Sequence, residues 1–411
     1  MEKSKFLEKI KAPFTKSDGF IKFIASVLCV LASLLICFIV LVIIDIPNGC
    51  ENILYEFKVM ITGGLEFSGT QGFFDILKKT APLLCAGLSI CFAYKTGMFN
   101  IGAAGQYVLG MFGGLIFALQ LNCHWTLCLL MSIIFGAIWG AIPGLLKAFF
   151  NVSEVLGGIM LNWIGLFFVN YSWQTYLRDC LDAQKGNKTY SISGKLGEIP
   201  SLEFSNGTKL SIVIFIALIV AILIWLIMKK TTLGFQLRAS GLNKDATKYA
   251  GMNEKRNIIL SMTIAGALAG LGGGLYYLSG ISQWEGGTAS TSLPGVPWNG
   301  IVVAFIGQIN PIATIFSSFF ISFISEGAKF MTQNVFPSEV ADLVTGIVVY
   351  LSGLSTFFVV IIKDKNRNKL IQKIIDDVKA KHEQHKKKVE ERKLLKENQS
   401  NINSNDNKED K

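Results

Sequence analysis

Charge is scarce in this chain, and so are the residues that metal and redox chemistry draw on. Only 17% of its 411 residues are Asp, Glu, Lys or Arg, against about a quarter in ordinary soluble proteins. Of its three histidines, His382 and His385 lie in a polar C-terminal stretch, and its eight cysteines form no Cys-x-x-Cys pair. A zinc or thiol redox centre is therefore not expected. Cys29, Cys37, Cys85, Cys91 and Cys128 lie inside apolar runs, where the thiol serves as a small hydrophobe. No Gly-x-x-x-x-Gly-Lys-Ser/Thr run occurs, so the chain has no phosphate-cradling loop of its own. A nucleophile–base pair at recognisable spacing is missing too.

Apolar length is abundant. Residues of the AVILMFWYC set make up 51% of the chain, and at about 20 residues per membrane span this supplies roughly ten spans. That excludes a water-soluble enzyme and a disordered chain. The formal net charge of +10 does not mark a nucleic-acid-binding face either. Residues 363–411 hold 15 basic and 10 acidic side chains, net +5, and the other 24 basic and 19 acidic residues give the second +5. Nucleic acid is not an expected partner.

The first apolar run, Ile21 to Ile44, follows Lys3, Lys5, Lys9, Lys11 and Lys16 and carries Lys22 at its start. It is longer than a signal-peptide core and no cleavage pattern follows it, so it reads as an uncleaved span that starts in the cytoplasm. Further runs lie at about 77–94, 98–120, 125–148, 155–176, 210–228, 258–280, 299–309, 311–330 and 340–362. Ten spans place both termini in the cytoplasm, together with the Lys- and Arg-rich connection Lys229–Asn257, and leave Leu177–Lys209 outside. The division is then a cytoplasmic segment 1–20, a transmembrane domain 21–362 and a charged cytoplasmic tail 363–411, disordered or a solvated helix. The run 299–309 is too short to cross alone and reads as a broken helix packed inside the protein or as part of a longer element.

Two glycine stripes, Gly136/Gly140/Gly144 and Gly266/Gly270/Gly274, have the spacing that lets helix backbones approach closely in lipid. They suit either a moving or a static seam. Gly97, Gly102 and Gly105 argue against an uninterrupted helix, and Phe99, Asn100 and Gln106 lie in the same stretch. Broken helices with amides at membrane depth are tolerated where they are buried or line a cavity. Asn100 and Gln106 therefore suit a wall of a solute path or a bond to a neighbouring helix equally. Asn162-Trp163 sets an amide beside a large ring, which suits a ring-bearing solute or a helix anchor. Glu154, Glu326, Lys329 and Asp342 fall near span ends, so the mid-spans show no carboxylate or histidine relay of the kind ion-driven carriers use.

In the basic connection, Asn243 is a good N-cap, Asp245 favours a first helical turn and Gly251 suits the exit. Ala246, Tyr249 and Ala250 recur at i, i+3, i+4 and give a short helix a small apolar face. Such a helix is marginal alone in water, so docking on another surface is expected. The upstream Thr232-Leu-Gly-Phe-Gln-Leu-Arg238-Ala-Ser-Gly241 can seat the same partner.

Thr232-Leu-Gly234 … Arg238-Ala-Ser-Gly241-x-Asn243 … Ala246 … Ala250-Gly251-Met-Asn253 resembles the cytoplasmic coupling segment of importer permeases of the ATP-binding-cassette class. More narrowly, the chain resembles the branched-chain-amino-acid, ribose and nucleoside permease family over about residues 75–360. Gly97-Met-Phe-Asn-Ile-Gly102-Ala-Ala-Gly-Gln106, Ser261 … Ala265-Gly-Ala-Leu-Ala-Gly270 and Trp298-Asn-Gly-Ile-Val-Val-Ala304 … Gly307 … Asn310-Pro311 fit the same pattern. Some relatives have Glu where this chain has Ala104, so no carboxylate role carries over there. Ser153-Glu-Val155 … Ile159-Met-Leu-Asn162-Trp163-Ile is most similar to the nucleoside branch.

The resemblance implies an all-α, polytopic membrane helix bundle of about ten transmembrane helices with a cytoplasmic coupling helix. It implies a pore shared with a second permease subunit, identical or paralogous. ATPase subunits carrying ATP and magnesium would dock on the cytoplasmic loops, and an extracellular or periplasmic solute-binding lipoprotein would deliver solute; no cofactor is expected in this chain. The site residues it suggests are Phe99, Asn100, Gln106, Asn162 and Trp163 along the solute path. For coupling to the ATPase it suggests Gly234, Arg238, Gly241, Asn243, Ala246, Tyr249, Ala250 and Gly251. A nucleoside or purine-type solute is the leading reading, a simple sugar such as ribose or a galactoside the alternative, and an ion-coupled carrier a more distant one.

Overall fold

A computed structural model describes residues 18–46, 53–205, 207–285 and 292–331, with isolated positions at 343, 346, 347, 350, 351 and 359. The expected tenth span at 340–362 and the tail 363–411 thus lie outside the described residues, apart from those isolated positions, as does most of segment 1–20. Two compact units are distinguished: residues 22–356, and the two chain ends 1–21 with 357–411. From Lys22 onward, the helices of the bundle belong to the first unit.

The architecture is an all-α bundle. Its helices are α1 (Asp18–Asp45), α2 (Ile53–Glu66), α3 (Gly69–Lys95), α4 (Ala103–Leu119), α5 (Trp125–Phe150) and α6 (Glu154–Thr175). They continue with α7 (Val213–Lys230), α8 (Thr232–Leu242), α9 (Lys244–Tyr249), α10 (Glu254–Leu278), α11 (Gly295–Ile306) and α12 (Pro311–Gly327). Among the described residues, seven helices are long and apolar enough to cross a membrane: α1, α3, α5, α6, α7, α10 and α12 with its terminal turn. The run 98–120 holds a shorter helix than expected, beginning only at Ala103. The run 299–309, expected to be too short to cross alone, falls in α11 and the turn after it; α11 has 12 residues, or about 18 Å of rise. The sequence does not announce α2, because Glu56, Lys58, Gly63, Gly64 and Glu66 interrupt its apolar pattern; its buried face is Ile53, Val59, Met60 and the two glycines.

Local signals explain the ends. Asn253 Oδ1 accepts from Arg256 N at 3.1 Å to start α10, and Asn310 Oδ1 accepts from Ile312 N at 3.2 Å ahead of Pro311 in α12; both are side-chain caps of the first free amides. Asn151 closes α5 in the left-handed conformation at φ 54°. The α5–α6 turn is then held by an ion pair between Lys147 Nζ and Glu154 Oε2 at 2.6 Å, both side chains largely buried.

The core is built around α3 and α10, which bury most of their length. The two glycine stripes turn out to be one seam, with α5 lying directly on α10. A Cβ added at Gly140 would stand 2.6 Å from Met262 O and 2.7 Å from Gly266 Cα. Only glycine permits that approach, and in lipid, where apolar burial gives no drive between helices, close van der Waals contact does the holding.

The connection after α6 forms two small antiparallel hairpins, β1 (Leu181–Asp182) with β2 (Lys188–Thr189) and β3 (Ser201–Glu203) with β4 (Lys209–Ser211). They sit at one end of the bundle, which we term the hairpin end. The Lys- and Arg-bearing α8 and α9 sit at the other, the basic end.

Candidate functional site

The first cluster forms where the α3–α4 connection breaks. Helix α3 closes at Thr96, and Gly97, at φ 75°, turns the chain in a conformation that side-chain-bearing residues rarely adopt. The freed segment 98–102 must satisfy its polar groups inside the protein, and three amides do this. Asn100 Nδ2 donates to Gln106 Oε1 at 2.7 Å while Gln106 Nε2 donates to Asn100 Oδ1 at 3.0 Å. Asn100 Nδ2 also donates to Ser89 Oγ at 3.0 Å, and Ser89 Oγ donates on to Ala265 O at 2.6 Å. From α6, Asn162 Nδ2 donates to Ile101 O at 3.0 Å and its Oδ1 accepts from Gly105 N at 2.7 Å.

Residues on α3, α4, α6 and α10 are thereby tied around one break, and Asn100, Gln106 and Asn162 are each 1% exposed or less. In this conformation their amides hold the break in place. Trp163 does not join them. One residue on from Asn162, it turns about 100° around the helix, is 42% exposed, and stacks on Phe167 with centroids 6.0 Å apart. Asn162 and Trp163 thus face different surroundings.

Phe99, Ile301 and Ile309 each pack against the buried cluster of Ile90, Cys91, Ala103, Ala269 and Ala304, and Tyr94 lies edge-on to both Phe99 and Phe305. The α11–α12 turn therefore meets the α3–α4 break. That turn is strained: Gln308 (φ 51°) and Ile309 (φ 54°) are consecutive left-handed residues, and the conformation is an outlier for β-branched Ile. Gln308 Nε2 is buried with no hydrogen-bond partner among the described residues. The Asn310-Pro311 start signal is legible in the sequence; the strained turn before it is not, since no glycine or asparagine marks Gln308 or Ile309.

The second cluster is the basic end. Asn243 caps α9 as its sequence suggests, with Oδ1 accepting from Ala246 N at 3.0 Å, and Gly251 ends the segment at φ 77°. Ala246, Tyr249 and Ala250 all face outward. Tyr249 is 94% exposed and neighbouring Leu242 is 89% exposed, whereas Thr247 is buried beneath them. The stretch from Thr232 is itself a helix, capped by Thr231 Oγ1 accepting from Gly234 N at 3.1 Å. Gly234 lies where no side chain fits against the Ile227 carbonyl of α7. Arg238 Nε donates to Gly234 O at 3.2 Å, one turn back.

The end of α8 is fastened to the bundle. Gly241 lies backbone-to-backbone on Thr96 and Gly97, and Asn257 Nδ2 of α10 donates to Ser240 Oγ at 2.7 Å. Thr96 Oγ1 in turn meets Ser261 Oγ of α10. The expected coupling residues thus lie together at the basic end. Asn257, Ser240, Thr96 and Ser261, which tie them inward, were not foreseen, because single small polar residues carry no pattern.

The family described as branched-chain amino acid transport system / permease component matches residues 72–353. The guanosine ABC transporter permease protein NupP of Bacillus subtilis is 34% identical over 67% of this chain and 79% of its own length. The nucleoside ABC transporter permease protein NupB of Lactococcus lactis subsp. cremoris is 35% identical over 67% of this chain and 77% of its own. A glucose ABC transporter permease protein of Haloferax volcanii is 26% identical over 70% of this chain and 77% of its own. No solved structure matches the chain at a significant level.

Proposed function

Because the chain belongs to the branched-chain amino acid transport system permease family, we propose that it is the membrane-spanning subunit of an ATP-driven importer for nucleosides. It is a multi-pass membrane protein. Lys229, Lys230, Lys244, Lys248, Lys255 and Arg256 gather at the basic end, which supports a cytoplasmic position for that end and an outer position for the hairpin end. The energy source is a separate ATPase that holds ATP and magnesium and docks on α8 and α9. A second permease subunit completes the pore, and an external binding protein delivers solute.

The observation that carries this reading is the contrast within α8–α9. Leu242 and Tyr249 are bare, while Gly241 and Ser240 immediately beside them are locked to α3 and α10. A partner gripping the bare face moves the break at 96–102, and with it the contact of Phe99 with Tyr94. The guanosine and nucleoside relatives support the solute class; the glucose relative leaves a sugar as the second reading. Phe99, with the amide cluster behind it, borders the path. Competition of radiolabelled guanosine uptake by unlabelled inosine, ribose and galactose in cells expressing the assembled transporter tests it: inosine competes and the sugars do not. Competition by sugars alone transfers the chain to the second reading.

A further inference from the structure

At the hairpin end a cleft of about 340 Å³ opens between the β2 segment and the turn after α10. One wall carries Lys188, Tyr190 and Ser191; the other carries Tyr277, Ser282 and Gln283. Its size falls in the range of small-molecule sites. None of these residues belongs to the amide cluster or to the coupling segment.

The two walls are joined. Thr189 N donates to Trp284 O at 2.8 Å, and Trp284 N donates to Thr189 Oγ1 at 3.0 Å. Gly280, at φ 71°, provides the turn that brings 281–283 back over the end of α10. The Tyr277 ring stands edge-on to Trp284, with centroids 6.0 Å apart at 70°. Trp284 is 3% exposed, and its Nε1 is buried with no acceptor among the described residues. A buried indole N–H normally finds a partner.

On the rim, Lys188 Nζ pairs with Glu285 Oε1 at 2.7 Å, and Lys195 Nζ stands over the Tyr190 ring, 5.5 Å from its centroid. The cleft offers two phenol rings, the Ser191 and Ser282 hydroxyls, and the Gln283 amide, which both donates and accepts. That set suits a solute with a flat ring for the phenols and hydroxyls for the polar groups.

We propose that this cleft is an outer receiving site for a nucleoside, with the ring against Tyr190 and Tyr277 and its polar edges on Gln283 and Ser191. The proposal rests on the nucleoside reading of the solute. It adds a place where solute released at the outer face is held before it enters the bundle.

The test uses the assembled transporter in proteoliposomes, with guanosine as the transported probe and ribose as the competitor. Tyr190 and Gln283 are partly exposed, so truncating either leaves the fold intact. Gln283→Ala and Tyr190→Ala are each expected to raise the apparent KM for guanosine roughly five- to twenty-fold. Maximal uptake and basal ATP hydrolysis stay unchanged. Tyr190→Phe, which keeps the ring, restores most of the affinity, and ribose does not displace guanosine from the wild-type complex. Intact guanosine uptake in wild type with unaltered KM in both truncations overturns the receiving site alone. No guanosine uptake by wild type overturns the solute reading, and the ligand assigned to this cleft falls with it.

Discussion

Gly97 and Gly241 touch through their backbones: a Cβ built on Gly97 would stand 2.8 Å from Gly241 O, and one built on Gly241 would stand 2.5 Å from Gly97 N. Gly97 opens the break between α3 and α4, and Gly241 lies in the last turn of α8, just ahead of the short helix that presents Tyr249 to a partner. Packed matter transmits displacement only where atoms are already in contact, and here the contact is main chain on main chain. It makes the basic end and the amide cluster one mechanical unit.

Substituting Gly241 with Ala should separate the two. The added methyl pushes α8 off Thr96 and Gly97, yet leaves Leu242 and Tyr249 exposed for docking. Co-purification of the ATPase is expected to persist while solute uptake falls about tenfold or more, an effect of roughly 1.4 kcal/mol or more on transport. Wild-type uptake in Gly241→Ala would show that this contact transmits nothing.

Replacing Tyr249 with Ala, or Ala246 with Trp, acts on the outer side of the same segment. Tyr249 is 94% exposed, so its loss costs the isolated subunit little stability. Both variants should reach the membrane in normal amount, fail to retain the ATPase on purification, and lose uptake. Normal retention together with normal uptake removes α9 from the interface.

Asn162→Leu carries a different expectation from the one its sequence position suggests. A residue that only contacts solute should, when changed, alter uptake while leaving the amount of assembled protein unchanged. Asn162 instead satisfies Gly105 N and Ile101 O inside the protein, and leaving buried backbone groups unpaired costs about 1–3 kcal/mol each. The variant should unfold at lower temperature in detergent and accumulate less. A thermal midpoint equal to wild type, combined with a raised KM for solute, would return Asn162 to direct solute contact.

The glycine seam makes a stability prediction. Gly140→Leu places a side chain where Met262 O and Gly266 Cα already sit within 2.7 Å of the first added atom, so α5 must leave α10. Overpacking costs typically about 1–3 kcal/mol, and against two rigid backbones the upper part of that range is expected. The readout is the yield of monodisperse protein, which should fall severalfold; an unaffected yield means the seam is looser than its geometry.

Much of the fold is legible in the sequence, and the reasons differ by element. Long apolar runs mark the spans, because lipid demands them whatever the tertiary context. Asn243, Asp245 and Gly251 mark α9, because capping is local chemistry. Facing directions are not legible. Asn162 and Trp163 stand side by side in sequence but turn to different surroundings, and Ala246, Tyr249 and Ala250 form a face left bare among the described residues. The short α2 and the hairpin cleft escape a sequence reading because their residues meet only through tertiary packing. The strained Gln308–Ile309 turn escapes because neither residue type favours that conformation.

The central claim is that solute movement is driven by a separate ATPase acting through α8 and α9. The direct measurement is radiolabelled guanosine uptake into proteoliposomes that contain the permease assembly with or without its ATPase, with the ATP supply varied. Uptake is expected only when both ATPase and ATP are present, and Gly241→Ala should reduce it about tenfold or more while the complex stays assembled. Uptake by the permease alone under a proton or sodium gradient would contradict the account and make the chain a self-sufficient carrier.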